Sequence, residues 1–197
     1  MSSTTFAPAH PGRVLADLLP QRLARDIWLT GAGTALIVVL GQVAIPLPFT
    51  PVPLSLGTLA AVLTGAALGP ARAAASMLVY LLAGVAGAPW FADQASGWEF
   101  ASFGYIIGFV VAAVVVGNLA RRGFDRSPVR MFGVMIAGSA VIYVFGVAWL
   151  MGYLDVGLYD ALTLGVTPFL LGDAVKAAVA AGLLPGAWKL VDRVGRR

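Results

Sequence analysis

Apolar residues in this chain come in long unbroken runs, not in the short alternation of a half-buried strand or the 3.6-residue stripe of a surface helix. Residues 27–71 include no charged side chain. About 20 helical residues span the hydrocarbon of a bilayer, so this run is too long for one crossing. Pro46, Pro48, Pro51 and Pro53 divide it, because each proline removes an amide donor and restricts the residue before it. The pattern predicts helices over residues 27–45, 54–69, 73–86, 104–120, 131–151 and 168–190. Gly69 and Pro70 close the second helix, and Arg72 marks the turn that follows. Thr167 is expected to cap the last helix, with Pro168 at its first position, where a missing amide is harmless.

Composition makes lipid the solvent. Of 197 residues, 59% are hydrophobic and 11% charged, and the mean hydropathy is +0.89; a soluble domain carries roughly a quarter charged residues. The expected fold class is all-α, a polytopic integral membrane protein with about six transmembrane helices. Residues 27–190 form the membrane domain, between a tail at 1–26 and a basic tail at 191–197. Within the first tail, Val14, Leu15, Leu18 and Leu19 alternate with Arg13, Asp17, Arg22 and Arg25 and could lie along the membrane surface. A cleaved signal peptide is not expected, since the first eleven residues lack Lys and Arg and the apolar run from Ile27 exceeds an h-region. With no cysteine, disulfides, thiolate metal sites and a Cys nucleophile are excluded.

The charges report orientation. With six crossings, every Lys and Arg except Lys176 falls on one side, from Arg13 and Arg72 through Arg121, Arg122, Arg126 and Arg130 to Arg193, Arg196 and Arg197. The opposite loops hold only Asp93, Glu99, Asp155 and Asp160. The positive-inside rule then puts both termini in the cytoplasm of a multi-pass protein of the plasma membrane. It also accounts for the net charge of +4 without nucleic acid.

Lys176 remains, three residues after Asp173 in PFLLGDAVKAAVAAG. This spacing puts both on one helix face, roughly 8 and 12 Å from the helix start at 1.5 Å per residue. Each ion there costs about 2.5–3.5 kcal/mol, which rules out a lipid-facing position. A neutralised structural pair is one reading; a polar ligand pocket is the favoured one, because intramembrane ionisable residues mark functional sites. Phe49, Trp90, Phe91, Trp98, Phe100, Phe103 and Tyr105 lie in or beside the acidic-side loops. They fit an interfacial aromatic belt or the walls of a pocket for a ring-bearing ligand. No G-x-x-x-x-G-K-[ST] loop is present, so no nucleotide or other cofactor is expected. The single histidine, His10, lies in the tail, and no catalytic or metal-binding constellation can be assembled. Transport or solute capture is the class that remains.

Three segments carry a resemblance: IPLPFTPVPLSLGTLAAVLTGAALGP, the loop that ends in FGYIIGF, and LGVTPFLLGDAVKAAVAA. Together they resemble the BioY family, the biotin-binding S components of energy-coupling-factor transporters, over residues 30–190. The resemblance implies a six-helix protein that captures biotin from outside and depends on a transmembrane coupling subunit and two ATPase subunits. It assigns ligand contacts to Asp173 and Lys176; the aromatic loops themselves offer Tyr105, Trp90 and Phe49 as candidate walls. Where the family's glycine-rich loop supplies an Asn, this chain reads ADQASG, so the role passes to Ser96, with Gln94 second. The family's small-x-x-x-small contact motif matches Gly31 and Ala35, whose spacing also fits packing within this chain. Leu171 stands for the usual Pro before GD, and Gly57 for a frequent Gln. For the pair, a ureido ring can offer N–H groups to Asp173 and a carbonyl to Lys176; a ligand carboxylate on Lys176 is the other pose. The rival functions are a self-sufficient, proton-coupled carrier and an intramembrane enzyme. A homo-oligomer is compatible with the sequence.

Overall fold

The structure, a computed structural model, describes residues 12–19 and 23–194. His10, Arg22, Arg196 and Arg197 lie outside the described residues. Among the described residues, seven α-helices and one hairpin make up the fold: α1 (Leu23–Gly41), β1 (Ala44–Leu47), β2 (Thr50–Ser55), α2 (Gly57–Leu68), α3 (Pro70–Val85), α4 (Phe103–Arg121), α5 (Pro128–Leu154), α6 (Leu158–Gly165) and α7 (Leu170–Val194). Four helical stretches among the described residues are long and apolar enough to cross a membrane: α1, α4, α5, and α6 with α7 together.

α2 and α3 are apolar but shorter, at 12 and 16 residues. α2 is short because the proline cluster does not simply break a helix but folds into an antiparallel hairpin that takes up residues 44–55. Ala44 pairs with Ser55, Ile45 with Leu54 and Leu47 with Thr50, so the four prolines fall between the paired positions, where no ladder amide is missed. α2 needs no match to lipid thickness, since most of it is buried. Gly69, at φ 80°, reverses the chain and Pro70 begins α3 without a wasted amide.

α4 lies against α2, α3 and α5, and α7 closes the bundle against α5 and α2. Two cores result. One is ring-rich, with Tyr80, Phe91, Phe103, Tyr105, Phe109 and Phe169. The other is built from Ala66, Val116, Ala120, Met135, Ala177, Ala180 and other small or flexible side chains, which let helix backbones approach closely. Val14 and Ala16 of the N-terminal segment belong to this second core, whereas Leu19 is 50% exposed. The segment's ends and middle are held by arginines: Arg126 donates to the Arg13 carbonyl at 2.8 Å, Arg72 to the Asp17 carboxylate at 2.9 Å, and Arg25 to the Leu19 carbonyl at 2.8 Å. Burial opposes ionisation of Asp17, but the Arg72 hydrogen bond, the Val14 amide and the charges of Arg72 and Arg121 outweigh it and hold its carboxyl below the usual range.

Two expectations at the last helix are corrected. Thr167 does not cap it: a 3-10 turn over Thr167–Phe169 precedes α7, and the Thr167 hydroxyl donates back to the Leu162 carbonyl at 3.3 Å. The connection before it also contains α6, eight residues long and too brief to be read from hydropathy.

Close approach is testable at Gly108, where an added Cβ would lie 2.8 Å from Ile142 Cα and 3.0 Å from its carbonyl oxygen on α5. Gly108→Ala should lower stability by about 1–3 kcal/mol, as over-packing does, and depress the melting temperature in detergent. Gly31→Ala, where a Cβ meets nothing within 4 Å, should leave it unchanged or slightly raised.

Candidate functional site

A cavity opens into the ring-rich core. α2 contributes Thr58, α3 Tyr80, α4 Tyr105 and Phe109, α5 Ile142 and Tyr143, and α7 with its preceding turn Phe169, Asp173 and Lys176. Val52, Pro53 and Ser55 of β2 and Ala92, Phe100 and Ser102 of the α3–α4 loop complete the wall. The two loops that cover it are those predicted to carry aromatic residues.

The charged pair sits at this wall, with Asp173 5% and Lys176 6% exposed. Asp173 lies in the first turn of α7, where the helix dipole favours an anion. One helical step brings the Lys176 ammonium to 3.0 Å from Asp173 Oδ1. Two neutral residues complete the chain: Lys176 Nζ also donates to Thr58 Oγ1 at 3.1 Å, and the Tyr143 hydroxyl donates to Asp173 Oδ2 at 2.7 Å. An ammonium has three donors and a carboxylate about four acceptor positions. Each partner therefore keeps hydrogen-bonding capacity beyond these bonds, beside a ring-lined space that also holds the Ser55 and Ser102 hydroxyls. A group that carries a donor next to an acceptor can use both at once.

Tyr105 lines the cavity with its ring, while its hydroxyl donates to the Gly165 carbonyl at 2.8 Å and so ties α4 to the end of α6. Phe49, Trp90 and Ser96 are not part of the wall. Phe49 is 62% exposed on the hairpin turn. Trp90 is half-buried against the ring-rich core, and Ser96 is exposed on the α3–α4 loop, as is Gln94. Ser102, Ser55, Thr58 and Tyr143 supply the hydroxyls at the cavity instead. Sequence reasoning did not single these out; for Thr58 and Tyr143 the available signal was a hydroxyl inside an apolar span.

Gly31 and Ala35 lie together on the exposed face of α1, away from the cavity. A Cβ added at Gly31 would meet nothing within 4 Å, whereas Gly33, on the other face, is the glycine that meets Ser76, Thr64 and Leu68.

Comparison with known proteins places the chain in a family. The chain is 34% identical over 168 residues to the biotin transporter BioY of Rhizobium etli, covering 80% of this chain and 89% of the relative. It is 34% identical over 160 residues to the biotin transporter BioY of Thermotoga maritima, covering 80% and 92%. A crystal structure of the S-component for biotin from an ECF-type ABC transporter superposes with a TM-score of 0.75, covering 86% of this chain and 95% of that one at 23% identity, which establishes the shared fold. The family model described as the BioY family matches residues 10–193. With that match running almost from end to end, the chain belongs to the BioY family.

Proposed function

We propose that this protein captures biotin at the outer face of the plasma membrane and delivers it inward with a coupling subunit and two ATPase subunits, itself holding no nucleotide or other cofactor. The observation that carries the reading is the hydrogen-bonded chain Thr58–Lys176–Asp173–Tyr143 at the wall of a ring-lined cavity. A ureido ring places N–H donors beside a carbonyl acceptor, which the unused capacity of Asp173 and Lys176 complements.

Six crossings with both termini in the cytoplasm fit the arrangement. Arg126 and Arg72 meet the N-terminal segment at one end of the bundle, whereas Asp93 and Glu99 belong to the loop that roofs the cavity. The mouth then faces outward under the positive-inside rule. α1, little of whose span is buried, presents Gly31 and Ala35 on an open face where another transmembrane helix can approach closely.

Mass spectrometry of ligand released from the purified protein should find unmodified biotin. Asp173→Asn and Lys176→Met should each weaken biotin binding on the order of 10- to 100-fold, the effect of losing a charged hydrogen bond. Each should also destabilise the protein by stranding the other charge, and the double variant should be less destabilised than the two effects summed. Parent-like binding by both single variants would sink the assignment of the pair. Gly31→Leu or Ala35→Leu should abolish co-purification with the coupling subunit and leave biotin binding intact. Full uptake by cells that lack every coupling subunit would favour a self-sufficient carrier.

A further inference from the structure

The α3–α4 loop, residues 86–102, roofs the cavity with Ala92, Phe100 and Ser102; its backbone closes on itself where the Phe91 N–H donates to the Ala95 carbonyl at 3.1 Å, and it reaches α3 where the Gly97 N–H donates to the Gly84 carbonyl at 2.8 Å. Gly87, Asp93, Gln94 and Gly97 all take positive φ, a conformation that persists for non-glycine residues only when tertiary contacts impose it. Within the loop the Phe91 and Phe100 rings meet at 5.6 Å, and further contacts come from outside it. The Phe91 ring packs into the space beside Gly84 and edge-on to Tyr80 at 5.2 Å. Trp149 Nε1 donates to the Phe100 carbonyl at 3.0 Å, from α5. Gln42, the residue that follows α1 and leads into the hairpin, aims its carboxamide at three consecutive loop carbonyls. Nε2 lies 2.8 Å from the Phe91 oxygen, 3.0 Å from that of Trp90 and 3.4 Å from that of Pro89.

A carboxamide nitrogen has two N–H donors, so three acceptors cannot all be bonded well at once. The side chain can trade one carbonyl for the next as the loop shifts. Gln42 is half-buried and reachable by water, which offers competing hydrogen bonds and makes the attachment reversible. It bridges the two segments that contribute non-helical wall to the cavity, the hairpin it precedes and the loop it holds.

We propose that Gln42 is the clasp of a movable roof: a positioning residue that holds the 86–102 loop against the hairpin and sets how long a captured ligand is retained. The clasp touches loop backbone and lies outside the cavity wall, so it governs access without altering the contacts at Asp173 and Lys176. Opening and closing then change the entry and exit of ligand together. The retention half of the proposal rests on the biotin reading above; the roof's attachment does not.

Two measurements test it. Association and dissociation of labelled biotin are followed on the purified protein and on Gln42→Ala and Gln42→Leu. Both rates should rise about tenfold, as expected from the loss of one or two neutral hydrogen bonds, and Kd should move far less than either. An unchanged dissociation rate overturns the proposal, as does a faster dissociation with unchanged association, which would mark a damaged site in place of a released roof. The second measurement needs no ligand. The chain has no cysteine, so Ala101→Cys, at a loop position only 6% exposed, provides a single thiol. Its reaction with a water-soluble thiol reagent should quicken severalfold when Gln42→Ala is added; an equal rate overturns the clasp. If the parent binds no biotin, the functional reading fails, and thiol reactivity alone decides the clasp.

Discussion

Two opposite charges in a medium that cannot solvate them set the terms for the cavity end of this protein. Asp173 and Lys176 are both nearly inaccessible, and neither could remain ionised alone in hydrocarbon without a penalty of several kcal/mol. Their mutual contact repays part of that penalty, and Thr58 and Tyr143 supply further polar contacts. Because these two hydroxyls come from α2 and α5, satisfying the α7 pair also fixes where three helices stand around one cavity. A polar requirement of a few atoms thus organises packing that apolar contacts alone would leave free to slide.

The two cores divide the labour differently. Rings such as Tyr80, Phe91, Phe103 and Phe109 are rigid and bulky and meet edge-on, and Tyr80, Tyr105, Phe109 and Phe169 line the cavity. The other core is filled with Ala, Val and Met and is drawn tight by glycines on α2, α4 and α5, so that backbones approach one another. The arginines that hold residues 13–19 over the second core add a polar closure at that end, where water can share the charges.

What the sequence revealed depended on how much each feature owed to the solvent. The spans of α1, α4, α5 and α7 were legible because lipid demands continuous apolar runs, and Asp173 and Lys176 stood out because the same runs exclude charge. The hairpin was hidden: Pro46, Pro48, Pro51 and Pro53 read as breakers, and only the pairing register shows that they occupy positions where a strand can do without their amides. Thr58 and Tyr143 were hidden because a hydroxyl in an apolar helix does not disclose which face it occupies. Phe49, Trp90 and Ser96 were placed by residue type, whereas the path of their loops is set by distant tethers such as Gln42, Trp149 and Thr50, the last of which donates to the Leu164 carbonyl at 2.8 Å. The small face of Gly31 and Ala35 was visible as a pattern, but only the surrounding helices show that it is left open.

The charge balance of the pair has an electrical consequence. Asp173 and Lys176 cancel one another, so the site brings no net counter-charge for a carboxylate on its ligand. An anionic vitamin carried inward by such a site moves against an inside-negative membrane potential, at about 2.3 kcal/mol for each 100 mV. The site itself is electrically silent and can harvest nothing from the field. Accumulation of an anion by this route is uphill, and the work has to enter from a separate energy source that acts on the loaded protein.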